Sequence, residues 1–195
     1  NGEILKVDKK EGWVIYSKIT QSQTGFNTYD SVFVKLDNNK RAEYALHGTY
    51  SEYLDYDGNP KIEQTNMDYT AFIYDGDNYL TEIRSYATSD VNADPLYTEI
   101  RTISDGNIVN IVSSSDYKYS YTYNDQEYNA SAEFCYEMPQ NTQGLLTNNC
   151  LTLSNLVFMS EYLGERNKNN ISGVVIERFH DIEYVEYANL SFEYT

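Results

Sequence analysis

The sequence predicts a mainly β (α+β) fold: a strongly curved antiparallel meander sheet or half-barrel of about ten strands, packed on one helix near residues 151–163. Three observations predict it. Apolar and polar residues alternate at period two along most of the chain, the pattern of half-buried strands. The alternating segments are separated by short turns rich in Asp, Asn and Gly. Tyrosine occurs 21 times against Phe 7 and Trp 1. Tyrosine suits a sheet that buries the ring body while the hydroxyl reaches water or a partner. The 195 residues read as a single β-rich domain, 1–195, long enough to bury a core, and a hydrophobic content of 41% excludes intrinsic disorder.

The elements follow in order. GWVIYSKIT reads as a strand with Trp13, Ile15 and Ile19 on one side and Val14, Tyr16 and Lys18 on the other. YDSVFVKLD aligns Val32, Val34 and Leu36 and ends at DNNK, a turn of residues that tolerate left-handed backbone. RAEYALHGTYSEYLDY is a long strand or bent pair in which Gly48 marks a bulge. The turn DGNP leads to a hairpin of Tyr69–Tyr74 and Tyr79–Tyr86 around DGDN. A second hairpin joins LYTEIRTIS to NIVNIVSSS through Asp105 and Gly106. DYKYSYTYND and EYNASAEFCYEM continue the meander.

The period then changes. Leu153, Leu156, Val157, Ser160 and Leu163 recur at helical spacing, Thr147 or Thr152 stands where a cap belongs, and Gly164 is a suitable stop. VVIERF and DIEYVEYANLSFEYT close the sheet, the last with Ile182, Tyr184, Ala188, Leu190, Phe192 and Tyr194 on one face. No repeat of fixed period and no linker divides the chain.

Charge and cysteine use restrict the partners. Lys plus Arg is 14 and Asp plus Glu is 30, a net charge of −16 that repels a phosphate backbone and anionic lipid surfaces. Nucleic acid is therefore not an expected partner. No apolar run reaches membrane-spanning length, so no transmembrane segment is expected. Cys135 and Cys150 fit no zinc spacing and read as a disulfide, two independent thiols being the alternative. The composition points to an extracytoplasmic protein, secreted or lipid-anchored at the cell envelope, whose leader has been removed.

No catalytic, metal or cofactor motif is present. There is no nucleophile elbow, His47 and His180 have no partners in sequence, and no phosphate-cradling loop occurs. DYDGNP has the early spacing of a calcium loop, but Pro60 stands where glycine is required and Asn66 where glutamate is. The expectation is a protein that is not an enzyme.

The row Tyr117, Tyr119, Tyr121, Tyr123 remains. Four alternate rings share one face of a strand, with Lys118, Ser120 and Thr122 on the other. They form the inward wall of the sheet, packed on the helix or lining a cavity, or else a stacking platform. With Leu156 and Phe158 of the helix they make up the expected ligand-binding set.

A long meander with a late helix and hairpins of the YDGDNY type resembles the LolA/RseB/LppX-like lipoprotein-carrier superfamily of bacterial envelopes. That resemblance implies an incomplete barrel wrapped around helices, enclosing an apolar cavity for acyl chains. The tyrosine-heavy lining departs from it, since an acyl cavity is mostly aliphatic. The leading expectation is a non-catalytic binding protein that holds a lipid, an acyl chain or a protein segment in the concave face. The alternative is a carbohydrate-binding or adhesive surface module that uses exposed tyrosines.

Overall fold

A computed structural model describes residues 3–21, 26–87, 92–127 and 160–192. Among the described residues, eleven strands form one antiparallel sheet in which each strand pairs with the next described strand. They are β1 (Glu3–Lys10), β2 (Trp13–Gln21), β3 (Asn27–Leu36), β4 (Ala42–Leu54), β5 (Pro60–Tyr74) and β6 (Leu80–Tyr86). The second half comprises β7 (Tyr97–Ser104), β8 (Asn107–Ser113), β9 (Tyr117–Glu127), β10 (Asn169–His180) and β11 (Glu183–Ser191). The sheet is curved and unclosed, β1 and β11 being its two edges among the described residues.

Three of the turns are built alike. In each, an aspartate side chain accepts from the backbone N–H groups two and four residues ahead: Asp37 from Asn39 and Arg41, Asp55 from Asp57 and Asn59, Asp75 from Asp77 and Tyr79. The fourth residue of each turn takes the left-handed conformation: Lys40 at φ 63°, Gly58 at 79° and Asn78 at 71°. The carboxylate thus holds the chain reversal that links consecutive strands. This recurring turn escapes a search for a fixed period, because the strands between its copies differ in length. At the next hairpin Asp105 and Gly106 both have positive φ, the expected Asp-Gly geometry.

One face of the sheet is buried. Val14, Tyr16, Val32, Val34, Ala42 and Ala45 form one apolar cluster with Tyr162, and Ile108, Ile111, Tyr119, Tyr121, Ile171 and Val174 form a second. Between them β5 to β7 present Thr70, Ile83, Ser85, Glu99 and Arg101, all buried. The interior is therefore two apolar ends joined by a mixed middle, where Leu80 and Tyr97 are buried beside these polar groups.

Three expectations change, and one strand is added. Of the helix expected over 151–163, residues 151–159 lie outside the described residues. Ser160–Tyr162 form a single 3-10 turn, so among the described residues no helix packs on the sheet. That turn delivers Tyr162 into the first cluster, and Gly164, at φ +84°, reverses the chain so that the N–H of Glu165 donates to the carbonyl of Asn78 (2.9 Å). Gly48 is in regular register with Ser31, and the irregularity lies one step on, between Thr49 and Tyr50. The opening residues, with Lys6, Lys9 and Lys10 among them, carry no clean alternation, yet they form β1 against β2. The last strand lacks a fully buried side: it lies at the edge, and the chain from Glu183 to Tyr187 is exposed throughout.

Candidate functional site

The tyrosine row of β9 lies where alternation places it, on the buried face. Tyr119 and Tyr121 are each only 6% exposed, and Tyr117 and Tyr123 are half-buried at the two ends of the row. β9 is held between β8 and β10, with Tyr119 opposite Ile111 and Ile176, and Tyr121 opposite Val174. Tyr123 donates its hydroxyl proton to the carbonyl of Ile108. Burial pushes the Tyr119 phenol up to about 12 and that of Tyr121 well above the usual value, so both remain neutral donors. Opposite them, Lys118 on the outer face pairs with Glu177 of β10 at 2.6 Å. The other two expected ligand-binding residues, Leu156 and Phe158, and the two cysteines, Cys135 and Cys150, lie outside the described residues.

Beside this row lies a buried ion pair that the alternation of LYTEIRTIS does not announce. Glu99 is 0% exposed and accepts from Arg101 at 2.7 Å (Nε) and 2.6 Å (Nη2), both at Oε1. Its Oε2 accepts the Tyr97 hydroxyl at 3.1 Å, and burial raises the Tyr97 phenol far above its usual range. The buried face thus carries tyrosines, a guanidinium and a carboxylate in mutual contact. These groups satisfy one another, which is what removal from water demands of them.

A second buried charge group lies under the first half of the sheet. His47 of β4 is 5% exposed, with Nε2 2.8 Å from Asp30 of β3 and Nδ1 3.5 Å from Asp68 of β5. The two carboxylates favour the imidazolium more than burial opposes it, so His47 is held above the usual histidine value.

The opposite, open face of β2 to β6 was not singled out in the sequence, and it is aromatic. Trp13 meets Tyr44 edge-to-face at 5.8 Å, Tyr44 stacks on Tyr69 at 5.3 Å, and Tyr69 leans on Tyr86 at 5.8 Å. Phe33 and Tyr50 make a second pair at 6.2 Å, and the Lys35 ammonium sits 5.1 Å above the Trp13 ring. Trp13, Phe33, Tyr44, Tyr50 and Tyr69 are half-buried. Because Tyr44 and Tyr69 stack across neighbouring strands with 29° between their planes, their ring faces meet each other. Their edges and hydroxyls are what the surroundings see. The signal in the sequence was the other half of each alternation: Trp13, Ile15 and Ile19 opposite Val14 and Tyr16 leave neither side of β2 polar.

The same face continues onto β7 and β8. Ile100 is 54% exposed beside Val112, because β7 turns its charged residues inward. At the rim, Asn39, Lys40, Arg41, Asn78, Glu161, Gly164 and Glu165 line a polar pocket of about 360 Å³ where the 3-10 turn meets two hairpin ends. Arg41 fills its own needs there, on Asp37, Asn78 and the Tyr74 ring. Among the described residues no cluster of His, Cys, Asp and Glu could hold a metal ion, and no helix is long and apolar enough to cross a membrane.

No protein-family model and no curated protein matches the chain. A solved structure, that of a porin-like protein from Bacteroides uniformis ATCC 8492, aligns with 96% of this chain and 92% of its own. Its identity is 11% and its TM-score 0.41. At that distance the likeness carries no inference about what this chain does.

Proposed function

We infer that this protein is a non-catalytic, adhesive binding module of the cell exterior that takes hold of another protein through the open aromatic face of β2 to β6. One observation carries the reading: Trp13, Phe33, Tyr44, Tyr50 and Tyr69 gather, half-buried, on the side of the sheet opposite the two apolar clusters. Tyrosine and tryptophan are the residues that dominate protein contact surfaces, because they add large amphipathic area at small entropic cost. Rings standing on edge present C–H edges and hydroxyls, which suit a polypeptide surface better than the flat face of a sugar.

The test is retention of the labelled chain on arrayed extracellular proteins, glycans and phospholipid vesicles. The expected result is saturable binding to a protein, weakened at least tenfold by Tyr44→Ser with Tyr69→Ser and unchanged by Tyr121→Phe. Retention by glycans or vesicles alone, or protein binding indifferent to the two open-face changes, overturns the reading.

A further inference from the structure

The rim pocket at Arg41 is a junction whose guanidinium is already satisfied. The exposed edge β11 carries a register shift against β10 between Ile176 and Glu177, and bulges of that kind discourage strand addition. The Asp30–His47–Asp68 group is different, because three adjacent strands contribute one residue each and the geometry is closed around a single titratable ring.

We propose that His47, buried between Asp30 of β3 and Asp68 of β5, is a pH-sensitive clasp that fastens β3, β4 and β5 together in its protonated form and loosens them when it loses its proton. The arrangement needs a cation. Asp30 lies 2.8 Å from Nε2 and Asp68 3.5 Å from Nδ1, and His47 is 5% exposed. A neutral imidazole can donate to one carboxylate only, and it then turns a lone pair toward the other. The protonated ring donates to Asp30 and meets Asp68, 3.5 Å from Nδ1, as an ion pair. The groups facing the clasp are Lys18 and Tyr16 of β2, beside Asp30 and Val32 respectively, together with Asp30 of β3 and Asp68 of β5.

The sign follows from linkage. The folded state holds the proton more tightly than the unfolded chain, whose histidine titrates near about 6.5. The stabilisation is complete below that value and is lost as pH rises through the higher folded midpoint. β4 and β5 also carry Tyr44 and Tyr69 on their outer side, so the clasp and the open aromatic face share a backbone.

The experiment is an NMR titration of the histidine ring protons of the full chain between about pH 5 and 9, with thermal unfolding at each pH. The His47 signal is identified by its loss in His47→Gln. Its midpoint is expected above about 6.5, and the wild-type Tm is expected to fall by several degrees across that midpoint. The fall disappears in His47→Gln. Asp68→Asn, at the more exposed carboxylate, lowers the His47 midpoint and keeps the test decisive should His47→Gln fail to fold. A midpoint at or below about 6.5, an Asp68→Asn change without effect on it, or a pH slope that persists in His47→Gln overturns the proposal.

Discussion

Thr81–Arg84 and Thr98–Arg101 spell the same tetrapeptide, TEIR, on neighbouring strands, and they face opposite ways. On β6 Ile83 is buried while Glu82 and Arg84 pair on the outer side; on β7 Glu99 and Arg101 are buried while Ile100 points out. Ile83 lies directly opposite Glu99 in the register, so one apolar and one ionic copy share the interior. The local sequence is silent on this choice. What differs is the company: the inward side of β7 begins with Tyr97, whose hydroxyl donates to Glu99, and Ser113 of β8 stands opposite it.

The two copies give a matched comparison. Arg101→Met leaves Glu99 charged and dry, and is expected to cost about 3–5 kcal/mol in urea unfolding. Arg84→Met, at the exposed copy, is expected to change stability by less than about 1 kcal/mol. Combining Arg101→Met with Glu99→Leu is expected to recover most of the loss, because the uncompensated charge is gone. Equal costs at Arg84 and Arg101 would mean that the inward pair is as wet as the outward one.

At the scale of elements, what the sequence announces best is the hairpin. DGDN and the Asp105–Gly106 pair sit where the turn chemistry places them, because Asp, Asn and Gly are the residues that accept left-handed backbone. What it announces least is the order after Tyr123: a helical period over 151–163 meets only the 3-10 turn Ser160–Tyr162 among the described residues. There the aromatic anchor, Tyr162, and the glycine reversal decide the local path more than spacing does. β1 was hidden for a related reason, since an edge strand guarded by Lys6, Lys9 and Lys10 lacks the apolar alternation of an inner one.

Gly164 is the sharpest test of that junction. An added Cβ would collide with the carbonyl of Asn78 and crowd the Tyr74 ring, and φ +84° is itself unfavourable to L residues. Gly164→Ala is expected to destabilise by more than about 1 kcal/mol. Gly58→Ala, where the φ is similar but no atom crowds the site, isolates the backbone part. A Gly164 cost no larger than the Gly58 cost would show that the 3-10 segment does not press on the β5–β6 turn.

At the scale of the whole molecule, the sheet, its antiparallel meander and the inward direction of the β9 tyrosines were legible, because period two fixes which residues share a face. Which face stays half-open was not. An alternation such as Trp13, Ile15 against Val14, Tyr16 is apolar on both sides, and only the folded sheet shows that the first set stays half-open while the second is sealed. The buried charges were illegible for the same reason, since Asp30, His47 and Asp68 are remote in sequence and meet only through strand register.

The account therefore rests on a division between two tyrosine surfaces, and hydroxyl-radical footprinting of the free chain, read by mass spectrometry, measures that division directly. It predicts ready modification of Trp13, Phe33, Tyr44 and Tyr69, with Tyr119 and Tyr121 protected severalfold. Modification of Tyr119 and Tyr121 as fast as that of Tyr69 would contradict it and return the β9 row to the position of binding surface.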